Sequence, residues 1–451
     1  MIVTISNELL ISGAPESFYR ELRDKLSFPN PQWKANDKMN RWNGNTPRML
    51  SFFHATGNGL AVPRGFTGQL VEMAKRAGIS YHIEDNRRIL PEVEFSFAGI
   101  LKGYQQKVVK DILNRDFNVL QAPTGSGKTI MAMAVIAERQ QSALIIVHNK
   151  ELLNQWIDRI ETFLRIPRVE VGQIGDGKKK IGEKITIGII NSIYPIAEVI
   201  KNHFGHIVID ECHRCASRTF TEAVTAFDCK YMLGLSATPY RRDGLTKLIG
   251  WHLGRQVVVK DSNLTEKDRI QNVEVITRET GFNPYCDASE EYTKMLSELT
   301  EDNDRNRLIV ADVVREASNG GGACLVLSDR KSHCEDIRSM LSDSGIKADV
   351  LTGDTGNKER GAIVERLSAG TVRVLIATGQ LIGEGFDAKS LQTLFLATPI
   401  KFSGRLIQYL GRIMRPSPGK DYARVYDYID TNVGVLRAAA KARQKVYHHN
   451  K

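Results

Sequence analysis

Three short stretches carry residue types suited to phosphoryl chemistry. The first, Ala122-Pro-Thr-Gly-Ser-Gly-Lys-Thr129, follows an apolar run ending at Gln121 and precedes the helically spaced Ile130 to Gln140. That order is the one a phosphate loop needs. After Pro123, which has no N–H of its own, Thr124, Gly125, Ser126 and Gly127 make a turn whose backbone N–H groups converge on a β-phosphate, next to a helix N-terminus with its partial positive charge. Lys128 would reach the β and γ oxygens and Thr129 would ligate Mg²⁺. The second stretch, Ile207-Val-Ile-Asp-Glu-Cys-His213, puts two carboxylates at the end of an apolar strand, where an open parallel sheet presents its ligand crevice. Asp210 is expected to hold the metal and Glu211 to polarise the attacking water. The third, Gln408-Tyr-Leu-Gly-Arg-Ile-Met-Arg415, sets Arg412 and Arg415 on one helical face, where they could reach a γ-phosphate. Taken alone, that stretch reads better as a solvated basic helix.

These residues need parallel α/β scaffolds, and the sequence supplies two. From Leu101 to about Val259, apolar strands alternate with amphipathic helices: Asn118 to Gln121, Ala143 to Val147, Ile185 to Ile190, His206 to Ile209 and Tyr231 to Leu235. A second alternation has strands at Ala323 to Ser328, Ala348 to Leu351, Val372 to Ala377, Thr393 to Ala397 and Ala423 to Tyr428. The predicted organisation is a small α/β domain over 1–94, α/β domains over 95–260 and 261–435, and a basic tail over 436–451 that is a helix or a frayed end. In the first of these, Glu16 to Leu26 and Gly68 to Ala77 read as helices and Arg48 to Phe53 as a strand. Asp261 to Asp304 is charged and reads as irregular.

Composition narrows the class. With 451 residues, 42% hydrophobic and 25% charged, the chain is globular in composition. Its longest apolar runs are strand-length, so no membrane span and no signal core is expected, and six irregularly spaced cysteines suit a reducing compartment. Cytoplasm is the expected location and a monomer the default. The net charge of +10 raises the odds of a polyanionic partner. Cys212, His213 and Cys215 lack the further ligands a structural zinc site needs. Lys178 to Lys180 could grip phosphates or form a solvated turn. Trp33 and Trp42 are expected in the core ahead of base stacking.

Read in order, Tyr104 with Gln105, Ala122 to Thr129, Ile145 to Trp156, Ile187 to Ile193, Asp210 to His213, Ser236-Ala-Thr238, Ile376 to Asp387 and Gln408 to Arg415 resemble the successive motifs of DExH-type superfamily 2 helicases. The resemblance covers about Leu101 to Asp430. It implies two tandem RecA-like domains acting on ATP with Mg²⁺. It further implies that Gln105 recognises adenine, that His213, Ser236 and Thr238 couple hydrolysis to movement, and that Gly385 and Asp387 touch the nucleotide. Arg412 and Arg415 are implied as arginine fingers, with Gln408 contacting the γ-phosphate or the attacking water. Nucleic-acid backbone contacts would come from His148, Asn149, Lys150, Asn191, Ser192, Thr352, Gly353 and Thr378.

Leu235-Ser-Ala-Thr-Pro-Tyr-Arg-Arg-Asp-Gly244 is similar to the UvsW-like, XPB-like and RadD-like group. Ser17 to Asp24, Arg41 to Gly44 and Gly65 to Gln69 resemble the small N-terminal domain of UvsW-type helicases. The resemblance implies a helicase or translocase that unwinds or remodels branched DNA, with single-stranded and branched DNA as partners; the alternatives are an RNA or RNA-DNA hybrid helicase, or a nucleotide-switched DNA-binding scaffold that does not unwind. Two positions depart from the commoner pattern: Cys212 stands third in its motif, and His148 replaces a proline. Leu325 to His333 matches its motif only loosely.

Overall fold

Strands such as Ala143–Val147 and His206–Ile209 are buried along their whole length. Continuous apolar runs of this kind mark strands covered on both faces, as parallel sheets are. The computed structural model describes residues 1–123, 125–214, 218–237, 245–259, 273–319, 322–379, 390–400, 406, 409–411, 413 and 422–449. Thr124, Thr238, Gly385, Asp387, Gln408, Arg412 and Arg415 lie outside them. The chain divides into two compact units, Met1–Asn263 and Leu264–Lys451.

In the first unit an eight-stranded sheet runs in the order 178–180, 172–175, 185–189, 143–147, 206–209, 231–236, 117–121, 255–258. All its pairings are parallel except the edge hairpin that holds the exposed Lys178–Lys180. Residues 1–94 add a separate five-stranded sheet backed by helices Glu16–Lys25 and Thr67–Arg76. Its core is completed from outside: Leu248 and Trp251, on helix Thr246–Leu253 of the larger layer, pack with Val3, Leu9, Phe18, Leu22 and Leu70. Arg64 is buried in the seam, donating from Nη1 to Cys229 O at 3.0 Å with its guanidinium 5.1 Å from the Phe117 ring centroid. Arg88 and Asp228 form a further ion pair across it at 2.9 Å. Trp42 is not in the core, being 92% exposed. Phe28, Phe52, Phe66 and Trp251 supply the aromatic packing in its place.

The second unit is a six-stranded sheet ordered 273–280, 423–430, 391–396, 323–328, 374–378, 348–351, parallel throughout. Helices Asn303–Ser318 and Lys331–Asp343 contribute to one core cluster and Asn357–Ser368 and Gly434–His449 to another. The region read as irregular contains the edge strand Val273–Thr280, which pairs with Ala423–Asp430 over its whole length. Most of its residues are only partly covered, so Glu274, Arg278 and Glu279 dilute its apolar signal. Of the two alternatives for the C-terminal segment the structure has the helix, and it is packed: Leu436, Val446 and Tyr447 are buried, and Arg443 pairs with Asp427 at 2.8 Å.

Candidate active site

Three neighbouring parallel strands of the first unit end side by side, and each end carries one of the chemical stretches. Phe117–Gln121 leads into the phosphate loop, Tyr231–Ser236 ends in Ser236, and His206–Ile209 leads to Asp210. The register sets Ser236 opposite Gln121 and Gly234 opposite Ile209. Ala122 N donates to Ser236 O at 3.1 Å, tying the first two ends together. Residues more than 100 apart in sequence thus share one sheet edge, the crevice position of open α/β folds.

The loop turns through Gly125 and Gly127, at φ of +87° and +84°, a region in which a side chain is strained. Helix Lys128–Arg139 starts directly after Gly127. Lys128 Nζ donates to Ala122 O at 2.9 Å and Pro123 O at 3.2 Å, and Ser126 Oγ donates to Pro123 O at 2.7 Å. From below, Tyr104 Oη and Gln105 Nε2 both donate to Ser126 O, at 2.7 and 2.9 Å, while Gln105 Oε1 accepts from Lys102 N at 2.8 Å. Both polar atoms of Gln105 are therefore engaged within the protein, and its side chain braces the loop. A Cβ on Gly127 would collide with Gln105 Nε2, so position 127 needs glycine for its space as well as its dihedral.

Asp210 Oδ2 accepts from Trp156 Nε1 and Oδ1 from Glu211 N, both at 2.9 Å. Glu211 sits at φ +49°, a positive value unusual for a residue with a side chain. His213 Nδ1 lies 3.1 Å from both Glu211 Oε2 and Ser236 Oγ. Burial, then the neighbouring Glu211 charge, push the Asp210 carboxyl up to about 6, with Trp156 and Lys128 opposing. The paired carboxylates are short of positive charge, the condition a divalent cation relieves. The Asp210 and Glu211 carboxylates are oxygen donors of the kind the Mg²⁺ of helicases takes. Cys212 is fully buried against Gly234, where a Cβ would lie 2.9 Å from its sulfur, so a small side chain suits this third motif position.

Trp156 closes one of the motif stretches, but the sequence assigned it no role. It repeats with Leu153, Ile157, Ile160 and Leu164 as the apolar face of helix Lys150–Leu164, and nothing in that spacing reveals its indole N–H bond. Of the residues assigned to nucleic acid, Asn149 caps that helix by accepting from Leu152 N at 2.9 Å, and Lys150 pairs with Asp176 at 2.7 Å. Asn191 and Ser192 lie on the short helix Ile190–Ile193, which follows strand Ile185–Ile189. His148 follows strand Ala143–Val147 directly. In the second unit, Thr378 ends its strand next to the strand that leads to Thr352 and Gly353, so these three share one sheet edge. Thr352 N donates to Thr355 Oγ1 at 3.0 Å.

The family described as Type III restriction enzyme, res subunit, matches residues 99–241, and the helicase conserved C-terminal domain matches 306–417. The chain is 26% identical over 384 residues to an Acanthamoeba polyphaga mimivirus protein carrying the name ATP-dependent RNA helicase, covering 80% of this chain and 70% of that one. It is 23% identical over 471 residues to the ATP-dependent DNA helicase UvsW of Enterobacteria phage T4, covering 96% and 91%. Among solved structures, the Hef helicase domain of Pyrococcus furiosus superposes with a TM-score of 0.52 at 14% identity, covering 76% of this chain and 98% of that one. That likeness is one of fold, two tandem RecA-like domains. With both helicase domains matched in order and the strand-end constellation in place, the chain belongs to helicase superfamily 2, related to UvsW and XPB, and is an ATP-dependent helicase.

Proposed function

We propose that the protein uses ATP hydrolysis to move on DNA and to unwind or remodel branched DNA. The observation that carries the motor reading is His213. Its Nδ1 lies within 3.1 Å of both the Glu211 carboxylate and the Ser236 hydroxyl, so a change at the water-polarising group reaches the Ser236-Ala-Thr238 segment directly. In this reading Lys128 and the loop amides hold the phosphates, Glu211 orients the attacking water, Tyr104 fixes the loop, and Gln105 braces the loop and recognises adenine. Bound Mg²⁺ would neutralise phosphate charge beside Asp210 and Thr129. Gln408, Arg412, Arg415, Gly385 and Asp387 keep the nucleotide roles that the resemblance implies. Backbone phosphates of the strand are assigned to His148, Asn149, Lys150, Asn191, Ser192, Thr352, Gly353 and Thr378.

DNA is favoured because the relative named as a DNA helicase aligns over 96% of this chain, reaching into the N-terminal module. The mimivirus relative, with RNA in its name, supports a second reading as an RNA or RNA-DNA hybrid helicase. The test is ATP hydrolysis with and without single-stranded DNA, followed by unwinding of forks, Holliday junctions, displacement loops and RNA-DNA hybrids, with Lys128→Ala as control. Stimulation by DNA and preference for forks are expected. No stimulation by single-stranded DNA would falsify the motor reading, and preference for hybrids would replace DNA by RNA as the track.

A further inference from the structure

Residues 30–48 leave the N-terminal module as an arm. Its stem is the antiparallel pair Ser27–Pro29 with Met49–Ser51, closed by Asn30, which donates from N to Arg48 O and from Nδ2 to Pro47 O, both at 2.9 Å. The helix that follows, Pro31–Lys38, has no buried residue. Short helices in proteins are usually held by burying one face. This one is held by its Asn30 cap, by proline at its first position and by a Gln32–Asn36 bond, so its order does not serve a core.

At the tip, Trp42 is 92% and Met39 61% exposed. Gly44, at φ +49°, turns the chain beneath the indole, and a Cβ there would lie 3.0 Å from Trp42 Cζ3. The turn therefore supports the ring while nearly all of it stays in solvent. Lys34, Lys38, Arg41 and Arg48 lie on the same arm, with Arg48 5.4 Å from the Trp33 ring centroid, and Asp37 is its one acidic residue. A flat aromatic ring among cations complements an unpaired base flanked by phosphates. The charge argues against an apolar protein partner.

We propose that Trp42 stacks on the first unpaired base where strands part, with Lys34, Lys38 and Arg41 holding the adjoining phosphates. This deepens the reading above, since it names the element that meets the branch. Trp156 and Trp251 are buried and Trp33, on the same arm, is partly covered, so the part of the fork quenching that disappears in Trp42→Ala is the part that reports on Trp42. The experiment adds forked DNA, a forked RNA-DNA hybrid or linear duplex to the full chain without nucleotide.

The expected result is quenching by forks that Trp42→Ala abolishes, with a fall in fork affinity of roughly tenfold that Trp42→Phe largely restores. Stimulation of ATP hydrolysis by single-stranded DNA is expected to persist in both variants. Equal quenching or equal fork affinity in Trp42→Ala would overturn the proposal, as would quenching by linear duplex to the same extent. The DNA and hybrid forks separate the two sources of unpaired base. A wild-type chain that shows fork quenching but no DNA-stimulated hydrolysis would sink the motor reading and leave the stacking surface standing.

Discussion

Asp210 is gripped from two directions, by the Trp156 indole and the Glu211 amide, and that grip fixes which of its lone pairs face the crevice. Hydrogen bonds to a metal-holding carboxylate typically set metal affinity or activity by roughly 10- to 100-fold. Trp156→Phe keeps the ring in the core and removes one such bond. The Mg²⁺ concentration for half-maximal ATP hydrolysis should rise by roughly tenfold or more, with much of the rate recovered at high Mg²⁺. An unchanged Mg²⁺ dependence would remove Trp156 from the site. Lys128→Ala and Glu211→Gln should each lower kcat by roughly 100-fold or more, because each removes a group aimed at charge or water in the transition state. Circular dichroism and thermal unfolding should show the fold of both variants retained.

Between elements, the seam of the N-terminal module on helix Thr246–Leu253 depends on close backbone approach. A Cβ at Gly65 would lie 2.6 Å from Gly254 N and 2.7 Å from Trp251 O, both backbone atoms that cannot swing aside. Overpacking of this kind costs about 1–3 kcal/mol. Gly65→Ala should lower the stability of the first unit by that amount in urea titrations and make residues 1–94 more sensitive to limited proteolysis. Wild-type stability and protection would mean that the seam relaxes without cost. The seam also touches the motor strand: Arg64 and Arg87 both lie near the Phe117 ring, at 5.1 and 5.0 Å from its centroid, at the start of the strand whose far end enters the phosphate loop.

Across the whole chain, three buried histidines tie stability to pH. Burial, then a nearby arginine, lower His206 to about 3, His252 to about 4 and His333 to about 3. Among the described residues, His206 Nδ1 and His252 Nε2 have no hydrogen-bond partner, which suits neutral rings. Because the folded values lie below the ordinary one of about 6.5, the unfolded chain takes up protons first as pH falls. The stability these rings support is present above pH ~6.5 and is lost as the pH drops toward ~4, by about 1.4 kcal/mol per pH unit for each. Urea midpoints should therefore fall between pH ~7 and ~5; a flat profile would show that the rings are hydrated or protonated in the folded state.

The motifs were legible because phosphoryl chemistry demands particular atoms at fixed local spacing. Glycines at 125 and 127, Lys128 and the Asp210–Glu211 pair all stand on one strand-end pattern that sequence periodicity reveals. The five central strands of the first domain and the parallel α/β class were readable for the same reason, since fully buried strands are continuous apolar runs. Strand Val273–Thr280 was not, because an edge strand buries too little to show an apolar pattern. A helix was one of two readings for the C-terminal segment, but its packing was hidden by its charge, since Asp427 on another element is what satisfies Arg443. Only the tertiary structure decided that Trp156 serves Asp210, that Gln105 braces the phosphate loop, and that Trp42 stands in solvent while Trp251 fills the core. Each of these depends on which distant groups meet, and a local apolar or polar pattern holds no record of that.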